Sequence, residues 1–324
     1  MGMRALDGLR RALGLLCACT LWVSAVNADE GGTSFWLPGQ FGSLAAIAAE
    51  PGWSLPVMFY HYDGNASSGK EFEIAGDITA GLDAKADLLF MVPTYTFYDP
   101  VLGGQAAVSL AGLYGRMQVD VQATLGVPDG PPLSGQKSDA LTSAGDLYPS
   151  GSLRWNAGAH NFMTYSMFGV PTGSYEQGRL ANIGSNHWSA DAGGGYTYLN
   201  EGGQEFSVTA GYTYNWENHD TDYRNGDSLH LDWGASQFLS EHWHAGLVGY
   251  FYEQVTGDSG SGATLGGFES SVGGVGPQVG YLFKLKGQSA YVNLKGYQEF
   301  DAKNRPEGWS VWLTLALPLG ALAN

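Results

Sequence analysis

The side chains best suited to chemistry lie late in the chain. His230, Asp232, His242 and His244 fall close together. An imidazole beside a carboxylate can act as a general base with its orienter, or contribute to a metal site. If 228–240 and 242–254 are strands, all four point to one face with other polar groups. On that face they could equally pair with one another and with water. The loop Asp220-Thr221-Asp222-Tyr223-Arg224-Asn225-Gly226-Asp227 has the acid density of a calcium loop. Its Gly comes one place late, and Leu231 stands where a bidentate Glu is required. A turn fixed by Asn225-Gly226 is the better reading. Thr256 to Gly262 holds Asp258 and three glycines but no nucleophile elbow, and no phosphate-binding glycine loop precedes a helix anywhere. No cofactor and no metal is implied.

A second set of residues suits binding. Tyr250, Tyr252 and Gln254 share a face with His244, and Tyr291 and Tyr297 share one further on. With Phe35, Trp36 and Phe41 from the N-terminal part, they could line a path for an apolar solute, oriented by a few polar groups. They could also simply fill an interior.

What positions these residues is alternation of period two. Phe206, Val208, Ala210, Tyr212, Tyr214 and Trp216 oppose Ser207, Thr209, Gly211, Thr213, Asn215 and Glu217. Leu229, Leu231, Trp233, Ala235 and Leu239 oppose Ser228, His230, Asp232, Gly234 and Ser236. The pattern returns at Phe72–Ile78, Met117–Leu125, Trp188–Tyr198, Trp243–Gln254 and Trp309–Leu317. A soluble sandwich alternates as well. Three details favour a membrane. The segments run to about 9–13 residues, enough for a tilted strand to cross hydrocarbon and longer than the usual soluble strand. Trp188, Tyr198, Trp216, Trp243 and Trp309 stand near segment ends, as an aromatic girdle requires. The polar faces carry Ser, Thr, Gly, Asn and Asp rather than dense Lys and Glu, which suits a narrow wet lumen.

The expected fold is therefore all-β: a transmembrane outer-membrane β-barrel, antiparallel, of about fourteen strands, with twelve possible. The strands read near 53–62, 70–78, 85–97, 104–113, 116–126, 147–155, 160–170, 187–199, 204–216, 228–240, 242–254, 271–284, 289–300 and 308–318. The weakest are 70–78 and 147–155. Connections at 199–204, 240–242 and 284–289 are short; those at 127–146, 171–186, 217–227 and 255–270 are long and rich in Gly, Ser, Asp and Pro. Short periplasmic turns and long extracellular loops give this alternation, with both barrel ends in the periplasm. Pro93 and Pro277 each remove a ladder donor, so a bulge or an early strand end is expected at each.

Composition agrees. Charged residues are only 14% and aromatics 13%, which excludes a disordered acidic chain. The net charge of −16 excludes a nucleic-acid partner, because phosphate needs a basic footprint. No segment has the uninterrupted apolar run of a transmembrane helix. Arg4, Arg10 and Arg11, the apolar Ala12 to Val23 and Val26-Asn27-Ala28 read as a signal peptide over 1–28, which implies export. A lipoprotein site at Cys19 is the alternative. Cys17 and Cys19 are the only cysteines, so a mature chain has none. Cleavage removes three Arg and one Asp and leaves 12 basic against 30 acidic residues.

Residues 29–52 contain Phe35-Trp36-Leu37-Pro38-Gly39 and Leu44-Ala45-Ala46-Ile47-Ala48-Ala49. They are too apolar for a free tail and too few for a domain. The expectation is a hatch or plug inside the barrel, with Phe35, Trp36 and Phe41 on lumen side chains. A periplasmic tail with a short interfacial helix is the alternative. The barrel is expected over 53–319 and a C-terminal tail over 320–324.

The chain resembles the outer-membrane family labelled as the MetA-pathway of phenol degradation, SphA-type members included. The resemblance runs from about Gly32 to Leu319. It rests on Leu37-Pro38-Gly39 with Pro51-Gly52, and on Asn218-x-x-Thr221-x-Tyr223-x-x-Gly226 followed by His230-x-Asp232. It rests further on Tyr252-x-Gln254-x-Thr256-Gly257-Asp258-Ser259-Gly260-x-Gly262-Ala263, then Gly274-x-Gly276-Pro277-Gln278-x-Gly280-Tyr281. The resemblance implies a Gram-negative outer-membrane barrel that takes up aromatic or other hydrophobic compounds. A barrel with a hatch also resembles FadL-type channels by fold analogy. One departure stands out: many such barrels end on an aromatic residue that the insertion machinery recognises, and this chain ends Pro318-Leu319-Gly320-Ala321-Leu322-Ala323-Asn324.

The function expected from the whole is passive uptake of small hydrophobic or aromatic compounds through an outer-membrane, porin-like channel. It is not expected to be an enzyme. Its partners would be outer-membrane lipids, the solute and the barrel-insertion machinery. The alternatives are a hydrolase using His230 and Asp232, and a structural or receptor barrel acting through 127–146 and 255–270.

Overall fold

A computed structural model describes residues 35–74, 77–125, 133–267 and 269–321. The expected signal peptide and the start of the expected plug, residues 1–34, lie outside them. The described residues form thirteen antiparallel strands: β1 (Gly52–Ile74), β2 (Asp77–Met91), β3 (Thr94–Thr96), β4 (Gln105–Leu125), β5 (Leu133–Ala157), β6 (His160–Gly169), β7 (Ser189–Leu199), β8 (Gln204–Asn215), β9 (Ser228–Phe238), β10 (Trp243–Gln254), β11 (Ser271–Leu285), β12 (Gln288–Lys303) and β13 (Glu307–Pro318). Neighbours in sequence pair in space, and β13 pairs with β1 from Ser54↔Pro318 to Asn65↔Glu307. That last pairing closes the sheet, so no edge is left in hydrocarbon, where backbone groups find no partner.

Twelve strands form the closed ring, and β3 is extra. β2 and β3 occupy one position, both lying between β1 and β4. The chain breaks there at Val92-Pro93 because proline cannot donate to the ladder. Of the two expected counts, twelve holds for two reasons. The segments 53–62 and 70–78 lie largely in one strand, β1, whose pairing shifts between Ala66 and Glu71. The segments 104–113 and 116–126 are likewise one strand, β4, with an irregularity between Gly112 and Tyr114. At both places the break between two expected segments is an irregularity within one ladder. The loop expected at 127–146 is also shorter, since β5 begins at Leu133. Pro277 sits inside β11 without shifting its register. The pairing with β12 only lapses between Val275↔Gln298 and Gln278↔Lys295.

Strands β7 to β10 have 11 or 12 residues, about one crossing of the hydrocarbon. β1, β4 and β5 have 23, 21 and 25 residues and overshoot it. In that extension the polarity of the wall inverts. Leu82, Ala84, Ala86 and Leu88 of β2 and Met117, Val119 and Val121 of β4 are buried inside. Their neighbours outside carry charge, with Lys85–Asp63 and His61–Asp87 each at 2.7 Å. Elsewhere the outward face is apolar, as at Leu229, Leu247, Phe251, Leu294 and Leu313, and the inward face is polar. Trp188, Trp216 and Trp309 stand exposed at one rim and Trp53 and Trp243 at the other, forming the two aromatic belts.

The closing seam has a tight point where Gly64 faces Gly308. A Cβ on Gly308 would lie 2.1 Å from the Asp63 carbonyl oxygen and 2.4 Å from Gly64 Cα. Gly308→Val should therefore destabilise the closed barrel by about 1–3 kcal/mol. The check is the temperature at which the compact band is lost on a denaturing gel; an unchanged temperature would show the seam to be tolerant.

Candidate functional site

Residues 35–51 form no strand and run against lumen-facing side chains. Backbone inside a barrel must find partners, and here side chains supply them. The Asp232 carboxylate of β9 accepts the Gly39 and Phe41 N–H groups, each at 3.0 Å. Lys295 Nζ of β12 donates to the carbonyls of Gly39 (2.7 Å), Gln40 (3.1 Å) and Phe41 (2.9 Å). The Tyr297 hydroxyl donates to Gly39 O at 3.1 Å. One acid and one base thus grip a single arch of three residues from opposite sides. Further on, Glu205 of β8 accepts the Leu44 N–H at 2.9 Å and the Ser43 hydroxyl, and Thr197 accepts the Ala46 N–H at 3.0 Å. Gly39 explains the Leu37-Pro38-Gly39 signature: its φ is +82°, and a Cβ would strike Tyr297 at 2.8 Å and Tyr250 at 3.1 Å.

The aromatic residues of this segment reach the wall. Trp36 is 1% exposed and stacks on His230 with ring centroids 3.4 Å apart. It also meets Phe41 and Tyr165. Phe35 packs on Tyr148. His230 bonds Asp191 at 2.8 Å, and Thr213 donates to the same carboxylate oxygen at 2.6 Å. The expected base and its orienter are therefore not partners. His230 looks to Asp191 and is covered by Trp36, while Asp232 is occupied by backbone.

The remaining sequence candidates spread along the lumen. His244 and Tyr291 bond each other at 2.9 Å towards the short-turn rim. His242 does not face the lumen; it is exposed in the turn between β9 and β10, against Tyr281. Tyr250 and Tyr297 pack together, and Tyr250 donates to Glu299. Tyr252 lies under the Arg305 guanidinium. Gln254 Nε2 donates to Asp258 Oδ1 at 2.7 Å, at the opposite rim. There the signature residues of 218–227 and 254–260 join two loops. Arg224 and Ser259 form a bridge, Asp258 accepts the Gly226 N–H at 2.7 Å, and Tyr223 donates to Asp258. The turn expected at Asn225-Gly226 is absent. Gly226 is required by closeness, since a Cβ would meet Thr256 O at 1.8 Å. The chain instead turns before Tyr223, with Asp222 at φ +51°.

An apolar cavity lies on the other side of the segment. Phe35, Leu37 and Gln40 form its floor. Met58, Leu88, Phe90, Leu113, Met117, Met167 and Trp312 form its wall, with Tyr148 and Asp146. Ile183 and Ser185 close it from the inward-folded loop 170–188. Asp146 holds that loop. It accepts the N–H groups of Thr172 (3.0 Å), Gly173 (2.8 Å) and Ser185 (2.9 Å), and the Ser185 hydroxyl at 2.7 Å. Arg179 and Asp139, 3.0 Å apart, add a second tie. Of the sequence candidates, only Phe35 lines this cavity. The wall was missed because its apolar faces were read as lipid-facing. The available signal was the charge opposite them, at Asp83, Lys85, Asp87 and Asp120, which cannot face hydrocarbon cheaply. Lys295, buried opposite Asp232, was missed as well.

Residues 68–315 match the family described as "Putative MetA-pathway of phenol degradation". The chain belongs to this family. The match spans most of the barrel and begins after the lumen segment. Among solved structures, the chain is similar to the COG4313 outer membrane channel from Pseudomonas putida F1. The identity is 11% and the TM-score 0.66, over 84% of this chain and 97% of that one. That likeness is one of fold: an outer-membrane barrel. A FadL homologue from Pseudomonas aeruginosa aligns over 82% of this chain and 90% of its own, at 9% identity and a TM-score of 0.39, too low to carry an argument. No curated protein matches the chain. Fold and family together make this an outer-membrane protein.

Asp232→Ala removes two bonds from backbone N–H to a charged acceptor, each worth about 1.5–3 kcal/mol. Amide exchange at Gly39 and Phe41 should then rise roughly tenfold or more. Hydrogen–deuterium exchange over 36–44 is the measurement, and unchanged rates would mean that the arch is held elsewhere.

Proposed function

We propose that this protein is an outer-membrane channel for passive uptake of small hydrophobic compounds, with residues 35–51 acting as a plug in its lumen. The observation that carries this reading is the apolar cavity between residues 35–40 and the loop 170–188, inside the barrel. A barrel that only anchors or presents loops has no need of a buried apolar chamber. The family description, with phenol degradation in it, points to the same solute class. The similar protein from Pseudomonas putida F1 is itself an outer membrane channel.

In this reading a solute enters from the outer face, rests against Phe90, Met117 and Trp312, and leaves when the plug shifts. Diffusion drives it, and the binding site lowers the barrier by replacing water with apolar contacts. His230, Asp232, Tyr250, Tyr297 and Lys295 position the plug, with Trp36 and Phe41 as its anchors. His244, Tyr291, Tyr252 and Gln254 support the two rims. Phe35, with Leu37 and Gln40, joins plug and chamber.

Met117→Trp fills the chamber from the β4 wall, away from Asp232 and Lys295. Cells carrying it should take up naphthalene or toluene several-fold more slowly than cells with the native protein, at equal amounts of folded barrel. Uptake of native and filled barrels at the same rate as cells without the protein would overturn the proposal.

A further inference from the structure

We infer that the chamber selects uncharged ring compounds and discriminates against carboxylates. The inference rests on the channel reading above and narrows its substrate class.

The chamber wall is the first observation. Among the described residues lining it there is no Lys, Arg or His. An apolar pocket that accepts an acid needs a cation or a set of N–H donors for the carboxylate, because an unpaired charge out of water is very costly. Lys295 lies behind the wall, above the Trp312 ring at 5.6 Å. Its ammonium already donates to three plug carbonyls.

The second observation is the single charge on the wall, and it has the wrong sign for an acid. Asp146 is 2% exposed and its two oxygens hold four donors of the loop 170–188. A bound carboxylate would face it across a medium with little screening. The chain as a whole adds to this, with 31 acidic residues against 15 basic.

The third observation is shape. Phe35, Phe90, Tyr148 and Trp312 offer flat faces, and Met58, Met117 and Met167 supply walls that adapt to an irregular ring edge. The Gln40 amide and the Tyr148 hydroxyl are neutral donors among the lining side chains. A hydroxyl or carbonyl on a ring can use such a donor; a carboxylate needs more.

The test compares 2-naphthol with 2-naphthoate, the same ring with and without charge at neutral pH. Binding to the full-length purified protein in lipid discs is measured by calorimetry, with discs of the Met117→Trp variant as the blank. The expected result is at least tenfold weaker binding of the naphthoate. Gln40→Lys puts a cation on the chamber floor and should raise naphthoate affinity several-fold relative to that of naphthol. Equal affinities in the native protein, or no gain of naphthoate in Gln40→Lys, overturn the selectivity and leave the channel reading standing. No binding of either compound above the blank overturns both.

Discussion

Hydrocarbon offers no hydrogen bonds, and from that single constraint most of this structure follows. The ladder must close, so β13 returns to β1 in one continuous register. Closure with twelve strands leaves a lumen that is lined by polar side chains and too wide to be filled by them alone. A second stretch of backbone can then lie inside, provided that its own N–H and C=O groups are met. Asp232 and Lys295 meet them at Gly39 to Phe41, and Glu205 and Thr197 meet them further on. Breaking such a contact exposes a charge as well as a bond, which makes these side chains matter more than their number suggests.

The same constraint ends where the membrane ends. β1, β4 and β5 run beyond it, and once both sides of the wall are in water the ordinary rule for soluble proteins applies. Apolar residues turn in and charges turn out. The inverted stretch gives the barrel an apolar interior beside a polar one. The cavity sits where the two meet, covered by a loop tied down through Asp146. A binding chamber thus arises from strand length, without departing from simple alternation.

Alternation, with the length of the segments, was enough to specify the fold class, the membrane setting and most strand positions, because side chains on a strand must face opposite ways. The girdle tryptophans were legible for the same reason: only a lipid–water boundary favours Trp188, Trp216, Trp243 and Trp309 at strand ends. For the aromatic segment before β1 the sequence left a lumen plug and a periplasmic tail with an interfacial helix both open; the bonds from Gly39, Phe41, Leu44 and Ala46 to wall side chains exist only in the folded chain.

Alternation could not say which face was which. Leu88, Met117 and Val119 look like lipid-facing residues until the ring is assembled and their strands prove to extend past the bilayer. Nor could local pattern tell a turn from a bulge, which is why fourteen segments fold into a ring of twelve. The pairings that define the candidate site are the most remote in sequence. Asp232 and Lys295 lie some two hundred residues or more from Gly39, and His230 takes Asp191 rather than the adjacent acid. Such partners are chosen by barrel closure and by how far the chain can reach across a lumen of that width. Those are properties of the assembled ring, and no local spacing in the sequence encodes them.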